Sequence, residues 1–252
     1  MEALFVGKNI FFLNEIDSTN SYATLLLKNV NLPEGTVIHT LHQKKGKGMR
    51  GNSWFAEPES NLTCSIVLYP DFLSIEKQFL LYQIAALAVY DTTAELLDIS
   101  HFDIKIKWPN DILVNRKKFA GILIENSISD KNLNWSVIGI GLNINQRVFN
   151  EQHKATSIYQ LTQQNVDVSK TIQLLCKHIE KYYVLLKSGE EKLVTETYLK
   201  ALFSYNNSML FESDGKRQEL IVRGVGTSGL LLLETLDGKH IEADVKDFIW
   251  HY

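Results

Sequence analysis

Apolar residues recur along the chain with two different periods, and the changes of period predict the order of helices and strands. Helical spacing predicts a helix after the capping residues at 17–20 and further helices over 76–97, 168–186 and 191–203. Shorter apolar runs predict strands over 36–41, 62–69, 104–108, 112–114, 119–125 and 135–145. The polar stretch between the first two strands, over 42–60, predicts a long loop.

The close spacing of the middle strands predicts how they pair. A turn at 115–117 joins two of them, which favours antiparallel hairpins over parallel strands with crossovers. After residue 204 the pattern changes to five short strand candidates, around 208, 220, 230, 240 and 248, which resemble a small barrel. We therefore expect an α+β protein, with a mixed, largely antiparallel sheet and packed helices over 1–204 and a small β-barrel over 205–252.

Composition narrows the classes of function. The 252 residues carry 26 Lys+Arg and 29 Asp+Glu, a net charge of -3, which disfavours a general nucleic-acid coat. Only two cysteines occur, in apolar runs typical of buried thiols in a reducing cytosol. The N-terminus has no basic leader, and the longest apolar run, over 79–90, is too short to cross a bilayer. We expect a cytoplasmic protein with no membrane partner.

The segment over 43–54, here named the glycine-rich loop, is the most unusual in the chain. Its sequence is Gln-Lys-Lys-Gly-Lys-Gly-Met-Arg-Gly-Asn-Ser-Trp. Glycines let backbone N–H groups approach an anion closely, and the cations would neutralise its charge, so the segment is typical of an anion-binding loop. A solvated loop with incidental charge explains the same composition equally well. Gly46 and Gly51 have the spacing of a Walker A loop, but Asn52 replaces its lysine and a strand follows, so a P-loop is rejected.

A second cluster is Lys-Trp-Pro-Asn-Asp over 107–111, followed by Lys-Phe-Ala-Gly over 118–121. Proline fixes the chain at the strand end, so Asn110 and Asp111 should be displayed at a sheet edge rather than buried. Lys118 enters the next predicted strand, and its side chain can point back toward Asn110 and Asp111. An ordinary β-turn with exposed lysines explains the same residues equally well.

The remaining sequence motifs give little indication of a functional site. Gly-Ile-Gly over 139–141 lacks the third glycine and the helix of a dinucleotide site, and indicates a close-packed strand. His39 and His42 stand three apart in a predicted strand, so their side chains point to opposite faces and cannot chelate one metal. No H-E-x-x-H, paired C-x-x-C or G-x-S-x-G motif occurs.

The two clusters, in this order and spacing, resemble one family, the biotin protein ligases or holocarboxylase synthetases. The similarity covers most of the chain, through the segments 17–20, 43–54, 107–111, 118–125 and 139–143. It implies a class II synthetase-like catalytic domain and an SH3-like C-terminal domain. Because Ser-Thr-Asn begins at residue 18, it also implies a short form without the N-terminal DNA-binding domain of repressor members.

The resemblance implies a two-step ligation. Biotin and MgATP give biotinyl-5′-adenylate and pyrophosphate, and the acyl group then passes to a lysine of a biotin carboxyl carrier protein or domain. The implied reactants are biotin, ATP with Mg²⁺, and the carrier, without a DNA partner; a homodimer is left open. Activation is needed because the oxygen of a carboxylate is a poor leaving group.

The resemblance also assigns roles to residues. Lys118 would bridge the biotin carboxylate and the α-phosphate, Arg50 would act on the phosphates, and Asp111 would orient the incoming amine or accept its proton. Biotin would be bound by Ser18, Thr19, Asn20, Gln43, Gly46, Lys47, Gly48, Met49, Lys118 and Gly121. ATP would be bound by Lys47, Arg50, Trp54, Asn110, Lys118 and Asn143. No protein ligand of a metal is assigned.

The glycine-rich loop departs from the common family pattern Gly-Arg-Gly-Arg-x-Gly-Arg-x-Trp. Lys47, Met49 and Asn52 replace its three arginines. Lys47 keeps the charge without bidentate geometry, and Met49 predicts that the adenylate is retained less tightly.

Two alternatives stay open. A lipoate or octanoate protein ligase shares the fold but ordinarily lacks this loop. A non-catalytic biotin sensor would not need Lys118, Arg50 and Asp111 together.

Overall fold

In the computed structural model, which describes residues 3–150 and 154–251, seven strands form one sheet, here named the main sheet. In chain order they are β1 (Ile10–Ile16), β2 (Val37–Gln43), β3 (Leu62–Leu68), β4 (Ile104–Lys107), β5 (Asp111–Val114), β6 (Lys117–Ser129) and β7 (Asn132–Leu142). Their order across the sheet is β1-β2-β3-β7-β6-β5-β4. Only β1 and β2 pair in parallel, so the predicted mixed, largely antiparallel sheet is confirmed.

The described residues also form five α-helices. They are α1 (Thr19–Leu27), α2 (Phe79–Leu96), α3 (Ile158–Thr162), α4 (Val168–Lys187) and α5 (Glu191–Ala201). The predicted cap of α1 is confirmed, because the Ser18 hydroxyl accepts from the Ser21 N–H. At the start of α4 the Asp167 side chain, which was not predicted to cap, accepts two backbone N–H groups. Within the described ranges, no helix is long and apolar enough to span a bilayer.

Alternating side chains of the main sheet face two helical layers. Ile38 and Val67 pack with Ala23 of α1, whereas their neighbours Val37 and Ile66 belong to the larger core that includes α2 and α4. The sheet is therefore covered on both faces, and the ends of its strands are left to form a site.

The remaining strands form a second sheet, here named the C-terminal sheet. They are β8 (Ser208–Ser213), β9 (Lys216–Val225), β10 (Leu231–Thr235), β11 (His240–Ala243) and β12 (Ile249–His251), in the order β11-β10-β9-β8-β12, and every pair is antiparallel. All five strand candidates are confirmed. This sheet docks on the main sheet, because the Trp108 indole N–H donates to the Gly229 carbonyl at 2.9 Å. The division into domains at residue 204 stays a prediction.

Two elements, β1 and the short helix α3, are not predicted by the sequence pattern. Ile10, Phe11 and Phe12 of β1 are 47%, 40% and 55% exposed, because β1 is the outermost strand and pairs on one side only. The four consecutive apolar residues at 10–13 do not show the alternation that marks a half-buried strand. The predicted start of α2 was also early, because Ile75–Lys77 form a separate 3-10 turn.

Candidate active site

A cavity of about 980 Å³ lies between the main sheet and the C-terminal sheet, and the predicted motifs line it. Its lining includes Ser18, Thr19, Asn20, Gln43, Lys47, Gly48, Met49, Arg50, Trp54, Asn110, Asp111, Lys118, Gly121 and Asn143. Gly46 is the predicted site residue outside this lining. Within the loop it packs against the backbone of the opposite arm, where a Cβ atom would come within 2.3 Å of the Trp54 carbonyl oxygen.

The glycine-rich loop folds back on itself as a small hairpin over the sheet. The Trp54 N–H donates to the Gly46 carbonyl at 2.9 Å, and the Gly48 N–H donates to the Asn52 carbonyl at 2.7 Å. The Trp54 ring then lies against β6 and β7, where a Cβ on Gly121 or Gly141 would meet it at 3.1 or 2.3 Å. The two strand glycines therefore make the space that the indole occupies, which confirms close packing at Gly141.

A buried polar network forms one end of the cavity. The Gln43 side-chain oxygen accepts from the Thr19 N–H at 2.7 Å and from its hydroxyl at 3.0 Å. The Asn20 amide donates to Glu125 at 2.9 Å, and the Ser65 hydroxyl lies 2.6 Å from the Asn20 side-chain oxygen. These contacts fix the predicted biotin-binding side chains in one orientation.

Sequence reasoning missed Ser65 and Glu125, which organise this network. Ser65 is a fully buried hydroxyl inside the apolar strand β3, and that mismatch was the available signal. Glu125 lies on β6, seven residues after Lys118, at the end of the segment 118–125 that carries the family resemblance, but no role was assigned to it.

Lys118 and Asp111 meet at the other end of the cavity. The Lys118 ammonium lies 2.7 Å from a carboxylate oxygen of Asp111 and 5.7 Å from the centre of the Trp54 ring. A register shift between β5 and β6 falls beside Lys118, where a bulge re-aims side chains. The structure thus brings together two of the three predicted catalytic residues.

Asn110 and Asp111 are half-buried and line the cavity, so they are less exposed than the sequence predicts. The Asn110 amide donates to the Ile122 carbonyl at 2.8 Å and its backbone carbonyl accepts from the Ile122 N–H at 2.9 Å. Asp111 is covered because it pairs with Lys118, and β4 rather than β5 is the edge strand.

Arg50, in the glycine-rich loop, also lines the cavity. Its backbone adopts the left-handed conformation, with φ of 56°, and its guanidinium pairs with the Asp244 carboxylate of the C-terminal sheet region. Lys47, Arg50 and Lys118 do share one cavity, as the sequence predicts. The role of Arg50 on phosphates stays a prediction.

Several lining residues come from segments that the sequence motifs did not mark. They are Thr63, Cys64, Phe149, Asn150, Lys154, Val245, Phe248, Ile249, Trp250 and His251. The lining carries five lysine or arginine side chains and one carboxylate, that of Asp111, so the cavity favours an anionic ligand.

Three buried polar atoms of the lining have no hydrogen-bond partner within residues 3–150 and 154–251: the side-chain oxygen of Asn143, the indole nitrogen of Trp54 and one carboxylate oxygen of Asp111. The Asp111 oxygen is compensated by its ion pair with Lys118, so the other two atoms are the ones left for a ligand. The Asn143 amide group itself donates to the Thr156 carbonyl at 3.1 Å, which fixes the orientation of the side chain. An unpaired buried acceptor costs free energy, so it indicates a ligand that donates a hydrogen bond there.

The cysteines are both buried free thiols, as predicted. Burial raises the pKa of Cys64 far above neutrality, and the nearby Cys176 raises it further. Cys64 therefore lines the cavity as an uncharged thiol.

No group of three metal-ligating side chains is present in the part of the chain that the structure describes. The two histidines of β2 are engaged separately, as predicted. His39 Nδ1 lies 3.0 Å from the Thr63 carbonyl, and His42 Nδ1 lies 3.0 Å from Glu15. Burial lowers the pKa of His39, so this ring is neutral near pH 7.

Comparison with known proteins places this site in a family. Residues 12–143 match the model of the biotin/lipoate A/B protein ligase family. The bifunctional ligase/repressor BirA of Bacillus subtilis is 32% identical over 251 residues, which cover 96% of this chain and 74% of that protein. The chain therefore belongs to the biotin/lipoate A/B protein ligase family.

Within that family the similarity is to biotin protein ligases. The structure of the biotin protein ligase from Aquifex aeolicus in complex with biotin and ATP matches with a TM-score of 0.77 and 26% identity, over 97% of this chain and 99% of that one. The biotin--[acetyl-CoA-carboxylase] ligase of Mycobacterium tuberculosis is 24% identical over 86% of this chain and 79% of that protein. The resemblance drawn from the motifs is confirmed, as is the fold class.

Proposed function

We propose that the protein is an ATP-dependent biotin–protein ligase, which forms biotinyl-5′-adenylate and transfers biotin to a lysine of a biotin carboxyl carrier protein. One observation carries the proposal: a single cavity joins a buried polar network at one end to a cationic end at the other, with Lys118 facing it. A neutral, hydrogen-bonding head group with a carboxylate tail fits such a cavity. The Aquifex aeolicus relative, which binds biotin and ATP, supports that assignment.

In the first step the polar network holds the ureido ring and the cationic end receives the carboxylate and the triphosphate. A carboxylate oxygen attacks the α-phosphorus, and pyrophosphate leaves. Lys118 stabilises the negative charge that develops between the two groups, and Lys47 adds charge from the loop. Asn143 offers its unpaired oxygen to an adenine amino group, and the Trp54 ring flanks the nucleotide.

In the second step the carrier lysine attacks the activated carbonyl carbon and AMP leaves. The attacking amine must be neutral, so a base is needed close to the acyl group. The position of Asp111 supports this role, since its carboxylate lies 2.7 Å from Lys118 and would be free to accept the proton once Lys118 turned to the adenylate.

Mg²⁺ would enter bound to the ATP phosphates, because it prefers phosphate and water oxygens as ligands. It would shield the triphosphate charge, and no step above depends on a protein ligand for it. The carrier, a homodimer and a cytoplasmic location stay predictions.

The test is mass spectrometry of a biotin carrier domain incubated with the protein, ATP and either biotin or lipoate. A mass increase with biotin is expected, and an increase with lipoate alone would assign the protein to the lipoate ligases instead.

Lys118→Ala should lower biotin-dependent pyrophosphate exchange by roughly 100-fold or more while the fold persists. Lys117→Ala, an exposed neighbour on the same strand, is the matched control and should keep full exchange.

A further inference from the structure

We infer that Asp244 is a positioning residue, which seats the tip of the glycine-rich loop over the cavity by pairing with Arg50. The inference rests on the proposed function, because the loop is taken to close over biotin and ATP. It gives a specific task to a residue of the C-terminal sheet region, 194 positions away from Arg50 in the chain.

The loop has a fixed base and a distant tip. Hydrogen bonds between residues 46 and 54 and between 48 and 52 close its base. The tip, Met49–Gly51, forms a single 3-10 turn in which Arg50 is exposed and no residue is buried. Of the four cations between residues 44 and 50, Lys44 and Lys45 already pair with Glu15 and Asp17 at the base of the loop. The Asp244 carboxylate offsets the positive charge at the tip.

Asp244 is held on a rigid turn. Its N–H donates to the Asp247 carboxylate at 2.7 Å, and the Asp247 N–H donates back to the Asp244 carbonyl at 2.9 Å. The Asp244 carboxylate also accepts from the Val245 N–H at 2.6 Å. Val245 and Phe248 line the cavity, so the same turn both forms the cavity wall and presents the carboxylate.

The C-terminal sheet is held in place by contacts that do not involve the glycine-rich loop, so it does not move when the loop moves. Trp108 donates to the Gly229 carbonyl at 2.9 Å, and Gly229 packs so closely on Phe79 that a Cβ there would lie 2.8 Å from its ring. Arg50 therefore links a movable tip to a fixed platform.

The exposed fractions of the Arg50 and Asp244 side chains determine how strongly their ion pair favours the closed loop. The side chains of Arg50 and Asp244 are 42% and 35% exposed, so solvent screens the pair and its bias toward the closed loop is about twofold to fivefold. The bias should vanish in 1 M NaCl, where the Debye length is about 3 Å.

The experiment measures tryptic cleavage after Lys47 in the full-length protein, with and without biotin and ATP. Asp244→Asn should raise the cleavage rate twofold to fivefold and raise KM for ATP by a similar factor, with kcat within twofold. Arg50→Asp combined with Asp244→Arg should restore protection. Glu234→Gln, which removes a carboxylate paired with Arg223 at 3.1 Å on the same sheet, is the matched control and should change neither value.

Unchanged cleavage in Asp244→Asn, or no restored protection in the reversed pair, overturns the inference. A loss of kcat in Arg50→Gln without any effect of Asp244→Asn also overturns it, because Arg50 would then act on the phosphates alone. Melting temperatures of all variants identify a misfolded one, and Arg50→Gln then tests the pair from the other side. The cleavage assay needs no turnover, so the protease result holds whether or not the protein proves to be an active ligase.

Discussion

Replacing Gly139 by Ala should selectively weaken biotin binding. A Cβ atom at this position of β7 would lie 2.2 Å from the side-chain oxygen of Asn20 and 2.9 Å from its Cγ. Carbon atoms in contact are about 3.5 Å apart, so the Asn20 side chain would have to move by about 1 Å. Asn20 is only 3% exposed and is bonded to Ser65 and Glu125, so it cannot move without breaking those hydrogen bonds.

Overpacking of this kind costs about 1 to 3 kcal/mol. If the strain falls on the polar network, the Kd for biotin rises by roughly 5-fold to 150-fold. Titration calorimetry with biotin measures this change, and the Kd for ATP should change much less because Asn20 lies at the opposite end of the cavity from Lys118. The ring of Trp54 is untouched by this substitution.

Two glycines serve as controls in the same assay. Gly226→Ala places a Cβ at an ordinary 3.6 Å from Leu232 and should leave biotin affinity unchanged. Gly121→Ala, at 3.1 Å from the Trp54 ring, should have an intermediate effect. A Gly139→Ala protein with biotin affinity within twofold of the unsubstituted chain and the same melting temperature refutes the steric argument.

Two further predictions concern stability and the intermediate. The Glu180 carboxylate accepts three backbone N–H groups of residues 4–6 at 2.6 to 3.0 Å; burial raises its pKa, but these bonds prevail and hold it below the ordinary value. Its stabilisation is therefore present above pH 4.5 and lost as the pH falls through the lowered pKa. Glu180→Gln should cost about 2 kcal/mol in urea unfolding at pH 7 and progressively less as the pH is lowered below 4.5, and a pH-independent gap would contradict this. Met49→Arg should slow adenylate release roughly tenfold in a chase experiment, because a charged hydrogen bond is added, while Met49→Leu should not.

Most helices and strands were predicted correctly from local sequence patterns, because each of these elements is determined by residues that are close together in the chain. The Ser18 cap, the turn at 115–117 and the period of the long helices each depend on a few neighbouring residues. The same holds for the two clusters that line the cavity, since each occupies one short segment of the chain.

The rest of the site depends on contacts between distant segments, and no local pattern records them. Hydrophobic period tells which face of β3 is buried, but not that Ser65 would meet Asn20 of α1. The sequence predicted close packing at Gly139, but it did not predict that the Asn20 side chain occupies the space beside this glycine. The wall formed by residues 245–251 and the pairing of Arg50 with Asp244 join opposite ends of the chain.

The protonation state of Cys64 has a chemical consequence for a cavity that makes an acyl phosphate. A thiolate attacks such mixed anhydrides readily, whereas a protonated thiol is a poor nucleophile. Because burial keeps the sulfur of Cys64 protonated, the enzyme can use an apolar thiol to shape its pocket without acylating itself. The activated vitamin is thereby preserved for an amine that arrives from outside.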